Sequence, residues 1–364
     1  MSGNRVVLFG ASGYTGSITA PVLAQSGVDV ILAGRDRARL EAMRRLPGLE
    51  NCEIVVANPL QPESLAAIFE NHPTLLVNCV GPFTLYGEAV VKAALKAGVH
   101  YLDITGEQEY MARVINRYHA LAQEKQVAII PGCGVEYALG NWAAALAANG
   151  LEPLDTISVA NAVAMKGRGI SSGSTLSLLE ALRKPGLAWQ DYQTQVKLIA
   201  SEGRRFCFPE PLGVRRALIA PFGENLTLPR HIKCNNVKTY MAVGSGTYWL
   251  SRLTFPLLPF IGELIRVVAR PFVRKGGPNL QQRGASRWSV VTEVVGRKGA
   301  CRVALSGVDM YGLTAQIIAY SATQILSGEF PGKSGGVLGA AQAFESRAAL
   351  NHLSTKCGVK IEVE

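Results

Sequence analysis

Val6-Val7-Leu8-Phe9-Gly10-Ala11-Ser12-Gly13-Tyr14-Thr15-Gly16 is a short apolar run that breaks into a GxxGxxG turn. Glycines at such a turn let the chain reverse tightly, admit a pyrophosphate and seat the next helix on the strand. The helix N-terminus adds free N–H groups and positive potential. A lone pattern of this kind is weak. It gains force here because it follows an N-terminal strand and opens a βαβ unit. We expect Gly10, Ser12, Gly13, Tyr14, Thr15 and Gly16 to cradle a dinucleotide, the alternative being a Gly-rich turn with no ligand.

Working outward, five further apolar runs recur with room for a helix between them: 30–33, 54–57, 75–79, 101–103 and 127–130. They are continuous rather than alternating, as strands buried on both faces read. Between the fourth and fifth, Ala89, Val90, Ala93, Ala94 and Ala97 recur at helical steps and Gly98 ends the helix. The fold class is therefore α/β, an N-terminal Rossmann doubly wound parallel sheet.

The second run ends at Arg35-Asp36-Arg37. An NAD enzyme would place an acidic residue on the ribose 2′-OH there, whereas the guanidinium of Arg35 suits a 2′-phosphate. Asp36 reads equally well as the N-cap of a helix carrying Leu40 and Met43. The expected cofactor is NADP(H). After the fourth run come Cys79, Val80, Gly81 and Pro82, and after the fifth Asp103 and Glu107. Both breaks fall at strand carboxyl ends, where open α/β sheets bind ligands. Cys79 to Pro82 are expected to border the nicotinamide ribose; for Asp103 and Glu107, helix capping competes with a proton-transfer role.

The chain has 364 residues, 48% hydrophobic and 18% charged, which suits one large domain or two ordinary ones. Seven scattered cysteines without a CxxC pair give neither a disulfide framework nor a zinc finger, so reduced thiols and no metal are expected. The N-terminus lacks a secretory pattern, and 255–272 is broken by prolines and charges short of the roughly 20 apolar residues a span needs. A cytoplasmic location is expected. Residues 1–130 hold 11 basic and 12 acidic side chains, leaving a net charge of +11 for 131–364. That field would draw an anionic partner or merely solubilise a basic face. No helix-turn-helix, finger or aromatic-studded motif accompanies it, so nucleic acid is not expected.

GASGYTG at 10–16, AGRDRARLE at 33–41, NCVGPFTLYGEAVV at 78–91 and AGVHYLDITGE at 97–107 together resemble the saccharopine dehydrogenase-like oxidoreductases, and within them the branch of bacterial trans-acting enoyl reductases. Shorter pieces, 311–315 and 334–338, are similar to the family's closing segment. The resemblance implies hydride transfer and an NADP-binding domain over 1–130. It also implies a second, α+β domain over 131–310 and C-terminal helices, about 310–364, that pack back on the first. The family's Gly-Phe-Asp stretch after the sixth strand is replaced by Cys133-Gly134-Val135-Glu136-Tyr137, so its substrate preference does not carry over.

From Leu151 the texture is β-like, with runs at 155–162, 232–243 and 288–295 and a hairpin turn at Gly296-Arg297-Lys298-Gly299, which predicts a mixed or antiparallel sheet. A homodimer through that sheet is expected. Gly169 to Thr175 precedes a helix expected over Leu176 to Leu182, and either caps it or meets a substrate anion. Projecting Phe260 to Arg270 as a helix separates Phe260, Ile261, Leu264, Ile265, Val267 and Val268 from Glu263, Arg266 and Arg270. Segment 255–275 thus reads as a lid, a peripheral membrane contact, or a surface helix on the core.

Hydride transfer also needs a proton donor. No Tyr-xxx-Lys pair stands at a suitable place. Cys133 and Tyr137, just past the sixth strand, rank ahead of His231 and Tyr240 as catalytic candidates, and His100 and His119 read as structural. The leading expectation is NADPH-dependent reduction of a C=C, C=N or C=O bond in a hydrophobic or carrier-bound metabolite, with enoyl reduction preferred. A non-catalytic NADP-binding redox sensor and a peripheral membrane lipid-binding protein are the alternatives.

Overall fold

A computed structural model describes residues 5–165, 169–181, 185–244, 246–269, 273 and 276–364. In its first part the elements follow the apolar rhythm: β1 Arg5–Phe9, α1 Tyr14–Gln25, β2 Asp29–Gly34, α2 Arg37–Met43, β3 Glu53–Val56, β4 Leu75–Asn78, α3 Phe83–Ala97, β5 His100–Asp103, α4 Gln108–Glu124, β6 Ala128–Ile130 and α5 Val135–Ala148. Val6 to Phe9, Ile31 to Ala33 and Leu75 to Val77 are fully buried, which is why these runs do not alternate. Each such aliphatic side chain contributes roughly 1.5–3 kcal/mol by leaving water. Gly98 closes α3 with a φ of 70°, a left-handed turn that a Cβ would strain.

The second part runs β7 Leu154–Ala164, α6 Ser172–Ala181, β8 Gly186–Gln190, β9 Gln193–Lys197, β10 Gly203–Phe208, β11 Gly213–Ile219, α7 Glu224–Thr227, β12 Cys234–Val243, α8 Tyr248–Thr254, α9 Leu258–Ala269, α10 Leu280–Ala285, β13 Arg287–Gly296 and β14 Gly299–Gly307. The chain closes with α11 Met310–Leu326, β15 Gly336–Val337, α12 Ala340–Ala343, α13 Ser346–Cys357 and β16 Lys360–Val363.

Two compact units result, and each is discontinuous in sequence. The first comprises Met1–Thr105, Tyr110–Val135 and Tyr311–Glu345; the second comprises Gly106–Glu109, Glu136–Met310 and Ser346–Glu364. In the first, seven strands lie in the order β15-β6-β5-β4-β1-β2-β3, and every pairing is parallel. The order reverses between β1 and β4, a topological switch point whose carboxyl-end crevice receives ligands.

The second unit holds a nine-stranded mixed sheet whose main path is β10-β11-β12-β7-β13-β14-β16. β12 pairs parallel with β7, and the neighbouring pairings are antiparallel. β13 and β14 form the expected hairpin, with Gly296 opposite Gly299 and only Arg297-Lys298 between them. Two boundaries differ from the sequence reading: of the closing segment only Tyr311–Glu345 groups with the first unit, Ser346–Glu364 grouping with the second, and α6 begins at Ser172, a turn before Leu176, because Ser171 Oγ accepts from the Ser174 amide at 3.1 Å. Leu182 lies outside the described residues.

Candidate active site

The turn after β1 is held by its backbone. The amides of Gly10 and Ala11 both donate to the Ala33 carbonyl, at 2.8 and 3.1 Å, tying the turn to the end of β2. Gly10 has a φ of 88°, and a Cβ on Gly16 would lie 2.2 Å from the Gly10 carbonyl oxygen, so neither position tolerates a side chain. Gly13 is the N-cap of α1, with no side-chain cap and no acidic residue in the first turn. The helix N-terminus is thus left for an external anion.

The residues expected from the sequence meet at this turn. A Cβ on Gly10 would lie 2.9 Å from Val80 Cγ2 and 3.1 Å from the Cys79 carbonyl carbon, which puts Cys79 and Val80 against the loop. Arg35 is exposed immediately after β2. Asp36 is committed to α2, its Oδ1 accepting from the Arg39 amide at 3.1 Å, so Arg35 is the charged group left at the strand end. Two further groups were not foreseen. Arg39 Nη2 donates to the Ser12 carbonyl at 2.6 Å, and Tyr311 stacks edge-on against Tyr14 with ring centroids 4.9 Å apart. Arg39 stands in an alternating Arg35-Asp36-Arg37-Ala38-Arg39 run, a signal that could have marked it. A glycine turn, an open helix N-terminus and two guanidiniums fit the pyrophosphate and 2′-phosphate of NADP(H).

The carboxyl ends of β4, β5 and β6 are joined by one buried carboxylate. Asp103 Oδ1 accepts from the amides of Thr105 (3.0 Å) and Gly132 (2.9 Å), and Oδ2 accepts from the hydroxyls of Tyr101 (2.9 Å) and Tyr110 (2.8 Å). Asn78 Nδ2 donates to Tyr101 Oη at 3.0 Å. Burial pushes Asp103 up to about 6 even though these four donors favour its charged form. Asp103 is therefore neither a helix cap nor a free base; it holds the crevice floor. Glu107 also does something other than capping: it accepts from the Ser177 hydroxyl at 2.7 Å.

The two leading proton-donor candidates fall in different surroundings. Cys133 is fully buried, its Sγ lies 3.4 Å from Ser321 Oγ, and burial pushes its thiol up to about 12. Tyr137 donates to the Gly106 carbonyl at 2.7 Å; burial and then the carboxylates of Glu136 and Glu224 hold its phenol well above the ordinary range. Tyr240 belongs to an apolar cluster with Phe206 and Phe208. His231 sits with Nδ1 3.0 Å from the Thr227 carbonyl, and burial lowers it to about 4. His100 and His119 accept from the amides of Ala128 and Val337, both at 3.0 Å, as structural histidines do.

One carboxyl in the second unit escaped the sequence reading. Glu224, in the first turn of α7, is fully buried, neither carboxyl oxygen has a hydrogen-bond partner, and a Cβ on Gly140 of α5 would come within 2.4 Å of Oε1. Burial pushes it up to about 8, so it is protonated at neutral pH. Its only sequence signal would have been a carboxylate inside the apolar stretch 217–228.

The parallel sheet with its switch-point turn has the architecture of a dinucleotide-binding domain. Residues 6–130 match the family described as saccharopine dehydrogenase NADP binding domain. A trans-acting enoyl reductase of Mycobacterium tuberculosis is 37% identical over 135 residues, 36% of this chain and 32% of that protein. A lipid droplet localized protein of Caenorhabditis elegans is 34% identical over 144 residues, 37% of this chain and 34% of its own. The chain thus spans about a third of the length of these relatives. Among solved structures, apo saccharopine dehydrogenase (L-Glu forming) from Saccharomyces cerevisiae superposes with a TM-score of 0.65 over 100% of this chain and 99% of that one, at 13% identity, which establishes a shared fold. Among the described residues no helix is long and apolar enough to cross a membrane.

Proposed function

We propose that the protein is an NADPH-dependent reductase of a C=C, C=N or C=O bond in a hydrophobic or carrier-bound metabolite, with an enoyl thioester as the first choice. The carrying observation is the uncapped N-terminus of α1 behind a glycine turn, flanked by Arg35 and Arg39 with Asp36 turned away to cap α2. When bound, NADPH supplies a hydride. Gly10 to Gly16 hold its pyrophosphate, Arg35 its 2′-phosphate, and Cys79 to Pro82 border the nicotinamide ribose. In enoyl reduction the bound cofactor would supply the hydride for the β carbon, and a proton-donating side chain of this protein would supply the proton for the α carbon.

Tyr137 is the proton donor in this reading, its hydroxyl hydrogen held on the Gly106 carbonyl, whereas the Cys133 thiol lies fully buried beside the Ser321 hydroxyl. The enoyl choice is supported by the names of the mycobacterial relatives, and a greasy substrate by the lipid-droplet name of the nematode one. The test is NADPH oxidation against long-chain enoyl and keto thioesters, with Tyr137→Phe alongside. Turnover with NADPH that falls at least about tenfold in Tyr137→Phe, with cofactor binding intact, is the expected result. Tight NADPH binding with no turnover of any thioester would replace this reading by the redox-sensor one.

A further inference from the structure

The helical pair α8–α9 leaves an apolar stripe in solvent. Trp249, Leu250, Leu253, Leu257, Phe260, Ile261, Val267 and Val268 are all exposed, and from Leu250 to Ile261 they recur at three- and four-residue steps. Their exposure is not marginal: Trp249, Leu253 and Phe260 are 65%, 74% and 82% accessible. The opposite side of the pair is anchored by buried Tyr248, Ser251 and Leu258. A contiguous apolar stripe of this extent marks a surface that something covers.

Beside the stripe lies a polar cavity of about 400 Å³ in the second unit, lined by Thr156 and Ser158 of β7, Lys238 and Tyr240 of β12, Glu202, Gly203, Arg204 and, from α8 itself, Arg252. Lys238 pairs with Glu202 at 3.3 Å and Arg204 pairs with Glu293. Arg252 makes no ion pair among the described residues, and it is exposed one position before Leu253 of the stripe. An unpaired guanidinium and three hydroxyls at the border of an apolar surface match the seat of a phosphate at the boundary between headgroups and acyl chains.

Charge selects the occupant. Arg204, Lys238 and Arg252 line the cavity against the one carboxylate of Glu202, and the Arg216 guanidinium lies over the rings of Tyr248 and Trp249, 5.0 and 5.6 Å from their centroids. A second copy of the chain meeting this face about a twofold axis would set these cations against themselves. We therefore infer that α8–α9 docks the protein on an anionic lipid surface, the apolar stripe entering the acyl boundary and Arg252 with its cavity receiving a lipid phosphate. This goes beyond the reductase reading and does not depend on it.

The experiment is flotation of the full chain with phosphatidylcholine vesicles, with and without phosphatidylglycerol as about a third of the lipid. Anionic vesicles should carry the protein and neutral ones should carry far less. The triple change Leu253→Ser, Phe260→Ser and Val267→Ser should abolish flotation, and Arg252→Ala should weaken it about fivefold, one cation's share. Unaltered melting temperatures establish that the variants fold. Brominated lipid should quench Trp249 and lose that effect in Trp249→Phe. Absence of flotation in the parent chain, or undiminished flotation of the triple variant, overturns the proposal. So does a parent chain that ignores vesicles and sizes as a dimer while the triple variant sizes as a monomer, since the stripe would then be a self-interface.

Discussion

The two units handle polar groups in opposite ways. In the first, polar atoms around the crevice are matched: Asp103 receives four donors, and Asn78 donates to Tyr101 and accepts from the Val80 amide at 2.9 Å. In the second, Glu224 is buried without a partner, and the oxygens Asn141 Oδ1 and Asn225 Oδ1 are likewise unmatched. The charge follows the same division, with 12 basic and 12 acidic residues in the first unit and 25 basic and 15 acidic in the second. A dinucleotide asks for one backbone geometry, which few sequences satisfy and which motifs therefore expose. The second unit's work is done by surfaces and by individual side chains, and these leave no short pattern.

The sharpest way to break this comparison is Asp103→Ala. It strands two amides and two tyrosine hydroxyls in the buried floor, and should cost about 3–5 kcal/mol of stability, read as a lower denaturation midpoint. A change below about 1 kcal/mol would mean the network is not what holds the crevice. Next, Gly13→Val should weaken binding of either dinucleotide by roughly 100-fold in a fluorescence titration, because a Cβ at this position would lie 3.0 Å from the Gly10 carbonyl oxygen and the side chain would take the pyrophosphate's place. Unchanged affinity would remove the assignment of the turn.

On the other side of the comparison stands Glu224. Its carboxyl titrates near 8 in the folded chain and near 4.3 when unfolded. Between those values the native state holds a proton that the unfolded state has released, so stability declines as pH rises through that window and levels off above it. Glu224→Gln removes that decline. Its melting temperature should gain on the parent by several degrees from about pH 5 to pH 8; parallel curves would show that the carboxyl is solvated after all. The smallest effect is expected at the exposed Arg35. Arg35→Ala should weaken NADPH about tenfold while leaving NADH within about twofold, since only the former carries the 2′-phosphate. Equal losses would move phosphate recognition to Arg39.

Much of the first unit was legible because its signals are local. Strands buried on both faces are continuous apolar runs, Gly98 stops α3, Asp36 caps α2 and the two-residue turn at Arg297-Lys298 closes the β13–β14 hairpin. Each is dictated by steric and hydrogen-bonding rules that act over a few residues. The start of α6 was missed by one turn because the choice among several serines and glycines as cap depends on which hydroxyl can face an amide.

By itself the sequence determined the α/β class, the six parallel strands, the glycine turn and the cationic strand end beside it, since periodicity and turn chemistry are written in neighbouring residues. Only the tertiary structure decided that β15, two hundred residues downstream, extends the sheet beside β6. The same holds for Asp103 gathering donors from β5, α4 and the turn after β6, and for Glu224 coming to rest on Gly140. Which side of α8–α9 meets water was decided there too. The reason is that burial, pairing and exposure are set by contacts between distant segments, and a hydrophobic residue reads the same in sequence whether it ends in the core or in solvent.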